Sequence, residues 1–334
     1  MRTNAIAVTV VFMVLTAACS GGAPKSGSLG LRTVTDVALP GDTSRFDYAT
    51  LDASGHRLFV SHLGASRIVM VDTDKLTVER TIDNVPSVHG VLVVPALNRL
   101  YAAATGSDQA VTYDATSLEE LNRVSTGRAP DGLAYDPDTN AVFLSNEAGT
   151  TITEIDATTG AHRVEIDVGG EGGNVAYDPT SKHMLVDVQS RGDLVVIDAA
   201  ERRVLERHAL PGCDHDHGLQ VDAAHNRAFV ACDDNAALLE LDLTTFTVTA
   251  TLQTGADPDV LILDPARSRL YVLAESGVAT VIDTSARPAT RVARATLADG
   301  AHSGAVDPRS HHLYVPIANV SGHPVLRVLA PEGP

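Results

Sequence analysis

Three histidines and three aspartates recur at nearly equal intervals along this 334-residue chain. Counting one glycine, Gly173, that takes the same place once, they follow at steps of 42 to 44 residues: Asp47, His89, Asp131, His217, Asp259 and His302. Imidazole nitrogens and carboxylate oxygens together bind borderline or hard divalent metal ions. They also suit acid–base chemistry, because histidine titrates near neutrality and a neighbouring carboxylate raises its pKa. If the interval is a structural repeat, these side chains meet at one place.

The density of these residues exceeds what composition predicts. Acidic residues number 42 and histidines 13 in 334, or about one residue in six, so about one such residue is expected in seven places. Three explanations remain open at this point: a metal site, a polar ligand-binding mouth without metal, and solvated turn residues. If a metal is bound, we expect a subset of neighbours to hold it, namely His217, Asp259 and His302. Gly173 would then leave a gap that admits a ligand.

The interval is a repeat of the whole sequence pattern. Six aspartates and one valine anchor the copies, at Asp52, Val94, Asp136, Asp178, Asp222, Asp264 and Asp307. An aromatic or leucine side chain follows seven residues after each anchor. Within copy three, alternating segments at 131–136, 141–146, 151–156 and 161–168 are separated by turn residues. Four short strands every 42 residues or so predict one blade of a β-propeller.

Seven copies predict an all-β, seven-bladed propeller with four-stranded blades. The seventh copy supplies three strands, and an extra strand, Leu31–Leu39, precedes the first complete copy. We expect this strand to complete the last blade, since an open ring would leave sheet edges unpaired. The six histidines and aspartates would then line the channel mouth. A polar rim is expected from the loop after each second strand: His62, Asn146, Glu147, Gln189, Asp233, Asp234 and Glu275.

The N-terminus has the features of an export signal. One early cation, Arg2, precedes an apolar run from Ala5 to Leu15 and the small residues before Cys19. We expect residues 1–18 to be a lipoprotein signal peptide, Cys19 to carry the lipid, 19–30 to be a flexible tether and 31–334 to be the propeller. An ordinary signal peptide cut nearby is the alternative. The protein is then exported and lipid-anchored at the cell envelope, in the periplasm or at the cell surface.

The chain has three cysteines. If Cys19 carries lipid, Cys213 and Cys232 remain. Disulfides persist outside the cytosol, so a single bridge between these two is the economical interpretation, and a reactive thiol pair is the alternative. Both cysteines belong to the stretch "CDHDHGLQVDAAHNRAFVACDD", in which His217 is the fifth copy's member of the ring.

The net charge of the chain argues against some classes of binding partner. The formal charge is −17, which repels phosphate backbones and argues against nucleic acid as a partner. We expect a monomer that contacts the membrane only through its anchor. Its partner would be a small molecule or an envelope protein.

Two segments carry a family resemblance. The repeats "APDGLAYDPDTNAVFLSNEAGTTITEIDATTG" and "DPARSRLYVLAESGVATVIDT" resemble YVTN-type propeller repeats. Across 46–331 the arrangement is similar to the YncE-like family of exported proteins, and "FDYATLDASGHRLFVSH", "VHGVLVV" and the cysteine pair fit it as well. The resemblance implies a seven-bladed propeller and assigns no reaction.

Two function classes follow from the sequence. The first is an envelope-anchored propeller that binds a small molecule, a metal ion or a protein partner at the channel mouth. The second is a metal-dependent lyase or hydrolase, lactonase-like, acting at the same ring of His and Asp residues. No dedicated nucleophile or base stands out in the sequence, so the first is favoured. The second class needs a divalent metal ion as cofactor, whereas the first needs none unless the ion is itself the ligand.

Overall fold

The structure, a computed structural model, describes residues 28–333 and forms seven antiparallel sheets of four strands each. The predicted signal peptide, Cys19 and most of the tether lie outside the described residues. Blades one to three comprise β2 (Ala49–Asp52), β3 (Arg57–His62), β4 (Arg67–Asp72), β5 (Thr77–Asp83); β6 (Val88–Val94), β7 (Arg99–Ala104), β8 (Gln109–Asp114), β9 (Glu120–Ser125); β10 (Pro130–Asp136), β11 (Ala141–Asn146), β12 (Thr151–Asp156) and β13 (His162–Asp167). The boundaries in blade three agree with the segments expected there.

Blades four to six continue the same order. They comprise β14 (Gly172–Asp178), β15 (His183–Val188), β16 (Asp193–Asp198), β17 (Arg203–Ala209); β18 (Asp216–Asp222), β19 (Arg227–Cys232), β20 (Ala237–Asp242), β21 (Thr247–Gln253); β22 (Pro258–Asp264), β23 (Arg269–Ala274), β24 (Val278–Asp283) and β25 (Thr290–Thr296). The part of the chain that the structure describes has four single-turn 3₁₀ helices in turns between strands, at Pro95–Leu97, Thr105–Ser107, Ala223–His225 and Pro265–Arg267. No helix in residues 28–333 combines the length and the apolar character that crossing a bilayer requires.

Blade seven closes the ring as the sequence predicts. Its sheet order is β1 (Leu31–Ala38), β28 (His323–Pro331), β27 (Leu313–Val320) and β26 (Ala305–Val306). The outermost strand β1 therefore comes from the beginning of the propeller, antiparallel to β28 with Leu31 opposite Pro331. Arg327 reinforces the seam by donating to both carboxylate oxygens of Asp36, at 2.9 and 2.7 Å. The seven-bladed propeller is thus confirmed, and the described ends of the chain are joined in one sheet.

The anchor aspartates have a structural explanation. The Asp136 carboxylate accepts the backbone N–H of Asp138 at 2.8 Å, and the Asp52 carboxylate accepts that of Gly55 at 2.8 Å. An aspartate that bonds the backbone two or three residues ahead nucleates the turn between the first and second strands. The anchor column is therefore rich in acid for reasons of folding.

The side chain seven places after each anchor fills the core between blades. Tyr101 packs with Val142 and Leu144 of blade three, and Phe229 packs with Leu261 of blade six. These side chains are all at most 2% exposed: Phe59, Tyr101, Phe143, Leu185, Phe229, Tyr271 and Tyr314. Each blade thus buries its second strand against its neighbour, which fixes the rotation from one blade to the next.

The cysteine pair belongs to blade five. Cys213 and Cys232 lie at bonding distance, with their Cα atoms 5.2 Å apart. Cys232 ends β19 and Cys213 lies in the connection that leads into β18. The bridge therefore fixes the loop immediately before His217.

Candidate metal and ligand site at the channel mouth

The innermost strands, and the segments leading into β2 and β26 that carry Asp47 and His302, bring the sequence-predicted residues to one end of the channel. A cavity of about 410 Å³ is lined by Asp47, His89, Asp131, His217 and Asp259. His302 lies directly behind this wall, with its Nε2 atom 3.8 Å from Oδ2 of Asp259. All six predicted positions therefore converge. The rest of the lining is Arg45, Tyr48, Leu63, Glu147, Asp233 and Glu275.

Backbone irregularities aim these side chains into the cavity. The pairing of first and second strands shifts register at the site position, for example between Val88 and Val91 and between Asp216 and Leu219. Such bulges redirect side chains near functional sites. A glycine follows the histidine in both strands, and a Cβ on Gly90 or Gly218 would lie 2.1 Å from the carbonyl oxygen of the next blade's aspartate. Glycine is needed there because adjacent inner strands approach closely.

Three buried side chains from blades one, six and seven form the tightest group. Ligand atoms of Asp47, Asp259 and His302 all lie within 4.8 Å of one another. Their exposed fractions are 1%, 6% and 2%. Two carboxylates and one imidazole make a donor set that suits a divalent metal ion. The sequence prediction for the metal was His217, Asp259 and His302, so in this group Asp47 takes the place of His217.

The orientation of His302 fits a metal ligand. Its Nδ1–H donates to the carbonyl oxygen of Gly300 at 2.8 Å, and its buried Nε2 has no hydrogen-bond partner among the described residues. A bond of this kind at one ring nitrogen sets the tautomer and presents the lone pair of the other nitrogen. His89 has the same arrangement, with Nδ1–H donating to Ser87 at 2.8 Å. Its Nε2 lies 4.0 Å from Oδ2 of Asp47.

Charge is distributed unevenly within the group. Burial and the neighbouring charge of Asp259 raise the pKa of Asp47, against the opposing effect of His302. Burial would also raise the pKa of Asp259, but His217, His302 and Arg45 outweigh it and lower that pKa below its ordinary value. Two adjacent carboxylates with one ionised and one resisting ionisation form a centre that a cation stabilises.

His217 acts as the counter-ion of this acidic wall. Its Nε2 lies 3.4 Å from Oδ1 of Asp259 and 4.0 Å from Oδ2 of Asp131. Its Nδ1–H donates to Oε1 of Gln189 at 3.0 Å. Burial alone would lower its pKa, yet the carboxylates of Asp259, Asp131 and Asp233 raise it well above its ordinary value. His217 is therefore a cation here and offers no free lone pair to a metal ion.

Tyr48 forms the floor of the cavity, reaching across the channel from blade one. Its hydroxyl accepts from Nδ2 of Asn174 at 2.9 Å and donates to Oδ2 of Asp131 at 3.3 Å. Below it the channel is lined mainly by aliphatic side chains. Burial raises the pKa of Tyr48 well above its ordinary value, and burial raises that of Asp131 to about 7 against the opposing charge of His217. Asp131 is thus a carboxyl group that titrates near neutrality.

Parts of the expected rim are located differently. His62 and Asn146 are fully buried, because His62 stacks on Phe46 at 4.0 Å and Asn146 bonds Thr153 inside its own blade. Gln189 is buried too, at 6% exposure, and holds His217. Glu147, Asp233 and Glu275 do line the cavity. The expectation of a hydrated rim is therefore wrong for His62, Asn146 and Gln189.

The gap expected at Gly173 is closed. A Cβ there would lie 3.0 Å from the carbonyl oxygen of Asp216 and 3.1 Å from Cα of His217. The glycine makes room for the next inner strand and leaves no opening for a ligand.

Sequence reasoning missed three residues of the mouth. Arg45 pairs with Asp47 at 3.3 Å and with Glu275 at 2.5 Å, and Tyr48 and Asn174 form the floor. For Tyr48 and Asn174 the available signal was the residue type at the repeat place just after each ring residue. It is glycine in blades two, three and five, but tyrosine in blade one and asparagine in blade four.

Comparison with known proteins supports the fold alone. The chain is similar in structure to a solved chain described as Kuenenia stuttgartiensis hydrazine synthase, with a TM-score of 0.73 and 19% identity. The match covers 88% of this chain and 97% of that one. No protein-family model and no curated protein matches the sequence. The likeness to YncE-like proteins therefore remains a prediction, and the seven-bladed scaffold by itself assigns no chemistry.

Proposed function

We propose that this protein binds a divalent metal ion at the mouth of its propeller and, on the open side of that ion, a small molecule. The observation that carries the proposal is the convergence of Asp47, Asp259 and His302 within 4.8 Å. Three protein ligands leave coordination positions free, as in metal sites that accept an exogenous ligand. The adjoining cavity of about 410 Å³ has room for a small ligand there.

The two carboxylates and one imidazole of this group limit which metal ion it would bind. A carboxylate pair favours hard cations, while an imidazole adds affinity for first-row transition metals. A first-row divalent ion such as Zn²⁺ or Mn²⁺ satisfies both preferences. Arg45 stands beside the group, 3.3 Å from Asp47, and is the one cationic side chain of the cavity lining that is charged at every working pH. It supplies a partner for an anionic group on the bound molecule.

A second candidate is a metal-assisted lyase or hydrolase. Asp131 favours it, since its pKa of about 7 lets it give or take a proton near neutrality. It lies across the cavity from the proposed metal group and in contact with Tyr48. The metal would polarise a carbonyl or carboxylate, and Asp131 would move the proton.

Export and lipid anchoring belong to the proposal as well. The support is the signal-like segment that ends at Cys19 together with a cysteine pair at bonding distance, which is expected of proteins outside the cytosol. The membrane contact would be the lipid alone.

Metal analysis of the purified protein and matched variants tests the proposal. We expect wild type to retain a stoichiometric first-row metal after exposure to Zn²⁺ or Mn²⁺, and Asp47→Asn and His302→Gln to lose it. His217→Ala should keep the metal, because the protonated imidazole is not a ligand. His183→Ala, at the start of β15, is the control for loss of a histidine elsewhere. A wild type that binds neither ion would refute the metal site and, with it, both candidate functions.

A further inference from the structure

Two aspartates stand at places where the other six blades carry no charge. The place of Asp187, the penultimate residue of its second strand, is occupied elsewhere by Ser61, Ala103, Ser145, Ala231, Leu273 and Pro316. The place of Asp216, the first residue of β18, is occupied elsewhere by Phe46, Val88, Pro130, Gly172, Pro258 and Ala301. The repeat therefore needs neither acid to fold. One belongs to blade four and the other to blade five, which are neighbours.

Both acids point into the same blade interface. Asp187 shares its strand face with Leu185, which packs against Val230 and Cys232 of blade five. Asp216 begins the inner strand of blade five directly opposite Cys232 in the strand register. The charge of Asp216 acts on Asp187, and burial together with this charge raises the pKa of Asp187 well above its ordinary value. The two carboxylates therefore lie at the same blade interface, close enough for the charge of one to act on the other.

Neither carboxylate is paired with a side chain among the described residues, although the backbone N–H of Val188 lies near enough to Asp216 to lower its pKa. Asp187 and Asp216 are both 0% exposed, and none of their four carboxylate oxygens has a hydrogen-bond partner among the described residues. Asp193 and Asp233 are close enough to add their charge, and one oxygen of each lacks a hydrogen bond among the described residues. The arginines nearby, Arg191 and Arg207, pair with Asp193 instead.

An arrangement of this kind is costly unless something occupies it. A buried polar group without a hydrogen bond costs about 1–3 kcal/mol in proteins, and an unpaired buried charge costs more. Buried oxygens that lack partners point to a water or an ion between them. Carboxylate oxygens suit Ca²⁺, which accepts irregular geometry and takes water at the positions that protein oxygens leave free.

We propose that Asp187 and Asp216 bind a Ca²⁺ ion between blades four and five. This site is separate from the group of Asp47, Asp259 and His302, which joins blades one, six and seven. The ion cross-links β15 to β18, next to the disulfide that fixes the same connection. It thereby holds the strand that carries His217 at the mouth.

Calcium-dependent stability tests this site. Wild type is stripped with a chelator, and thermal unfolding and calorimetric titration are followed as Ca²⁺ is added, with Mg²⁺ in a parallel series. At about a hundred times the dissociation constant, we expect the unfolding midpoint to rise by about 5 °C. Mg²⁺ should act weakly because it gives up its water reluctantly.

Each aspartate can be replaced by the residue that another blade carries at the same repeat place, so the variants are expected to fold. Asp187→Ser carries the residue of blades one and three, and Asp216→Ala carries that of blade seven. Both should fold and lose the response to Ca²⁺, while Asp47→Asn at the mouth should keep it. If Ca²⁺ leaves wild type unchanged and both variants are more stable than wild type in chelator and in Ca²⁺ alike, the acids are only a buried protonated pair and the site is refuted. Because Asp47→Asn affects only the mouth, failure of this site and failure of the proposed function are distinguishable.

Discussion

Replacing Asp131 by asparagine should make the protein more stable, and by an amount that depends on pH. Asp131 is 2% exposed, and its pKa is raised to about 7 from an ordinary value of 3.8, chiefly by burial. The unfolded chain therefore ionises this carboxyl between pH 4 and 7 while the folded chain keeps the proton. The free energy of unfolding consequently falls as pH rises through that window and levels off above the folded pKa.

The size of the effect follows from the shift. A difference of about 3 pKa units, at about 1.4 kcal/mol each, costs the folded state about 4 kcal/mol once the carboxyl is ionised in both states. At about pH 5 only about 2 kcal/mol of this cost is present, because this pH is only slightly more than one unit above the pKa of the carboxyl in the unfolded chain. Asparagine has no such cost, and its amide oxygen can still accept from Tyr48. The advantage of Asp131→Asn over wild type should thus grow by about 2–3 kcal/mol from pH 5 to pH 8.

Urea unfolding in a chelating buffer measures this difference. Wild type and Asp131→Asn are compared at about pH 5 and about pH 8, with equal m-values as the condition for comparison. Asp299→Asn, at an exposed turn, is the control for the general effect of removing one negative charge. An Asp131→Asn advantage that is the same at both pH values would show that His217 keeps the carboxylate ionised throughout. That result would remove Asp131 as a proton donor or acceptor near neutrality.

Two further predictions concern the scaffold around the mouth. Arg227 is 0% exposed and bonds Glu240 at 3.1 Å, so Arg227→Met should cost about 3–5 kcal/mol in urea unfolding by leaving buried carboxylates unpaired, and a cost below about 1 kcal/mol would contradict that view. The Cys213–Cys232 bridge spans 19 residues, so Cys213→Ser/Cys232→Ser should lower the free energy of unfolding by about 3 kcal/mol through loop entropy. Equal unfolding midpoints for this double variant and the oxidised wild type would contradict it.

The fold could be predicted because its determinants are local and repeated. Turn-forming aspartates such as Asp136, and core side chains such as Phe143, recur at fixed places in each copy. Each copy needs only its neighbours to bury its second strand, so the pattern of one blade determines the pattern of seven. The pairing of Leu31–Ala38 with the last blade followed from counting strands, since a closed ring leaves no unpaired edge.

The sequence could predict which residues surround the channel mouth but not which of their side chains contact one another. Equal radius about the axis follows from the repeat, but contact between particular side chains depends on what occupies the next place in each strand. Tyr48 replaces the glycine found at Gly90 and Gly218, and its hydroxyl crosses the channel to Asp131. Asp187 and Asp216, at the interface of blades four and five, occupy repeat places outside this ring, so the ring does not predict them.

The repeat contains two equivalent candidates for a metal group, and the structure explains why one is formed. His302 stands between the aspartates of blades six and one, while His89 stands between those of blades one and three. Both histidines donate through Nδ1 to the carbonyl two residues earlier, so both present Nε2 in the same way. Yet in residues 28–333 only the group around His302 brings its ligand atoms within 4.8 Å.

The difference lies in the second carboxylate of each trio. The Tyr48 hydroxyl donates to Oδ2 of Asp131 at 3.3 Å and holds this carboxyl at the floor of the cavity. No hydroxyl in the described part of the chain bonds Asp259, whose Oδ2 lies 3.8 Å from Nε2 of His302. One tyrosine in the place of a glycine thus breaks the symmetry of the ring. It separates a carboxyl that titrates near neutrality from a trio that can hold a metal ion, and the two then face each other across one cavity.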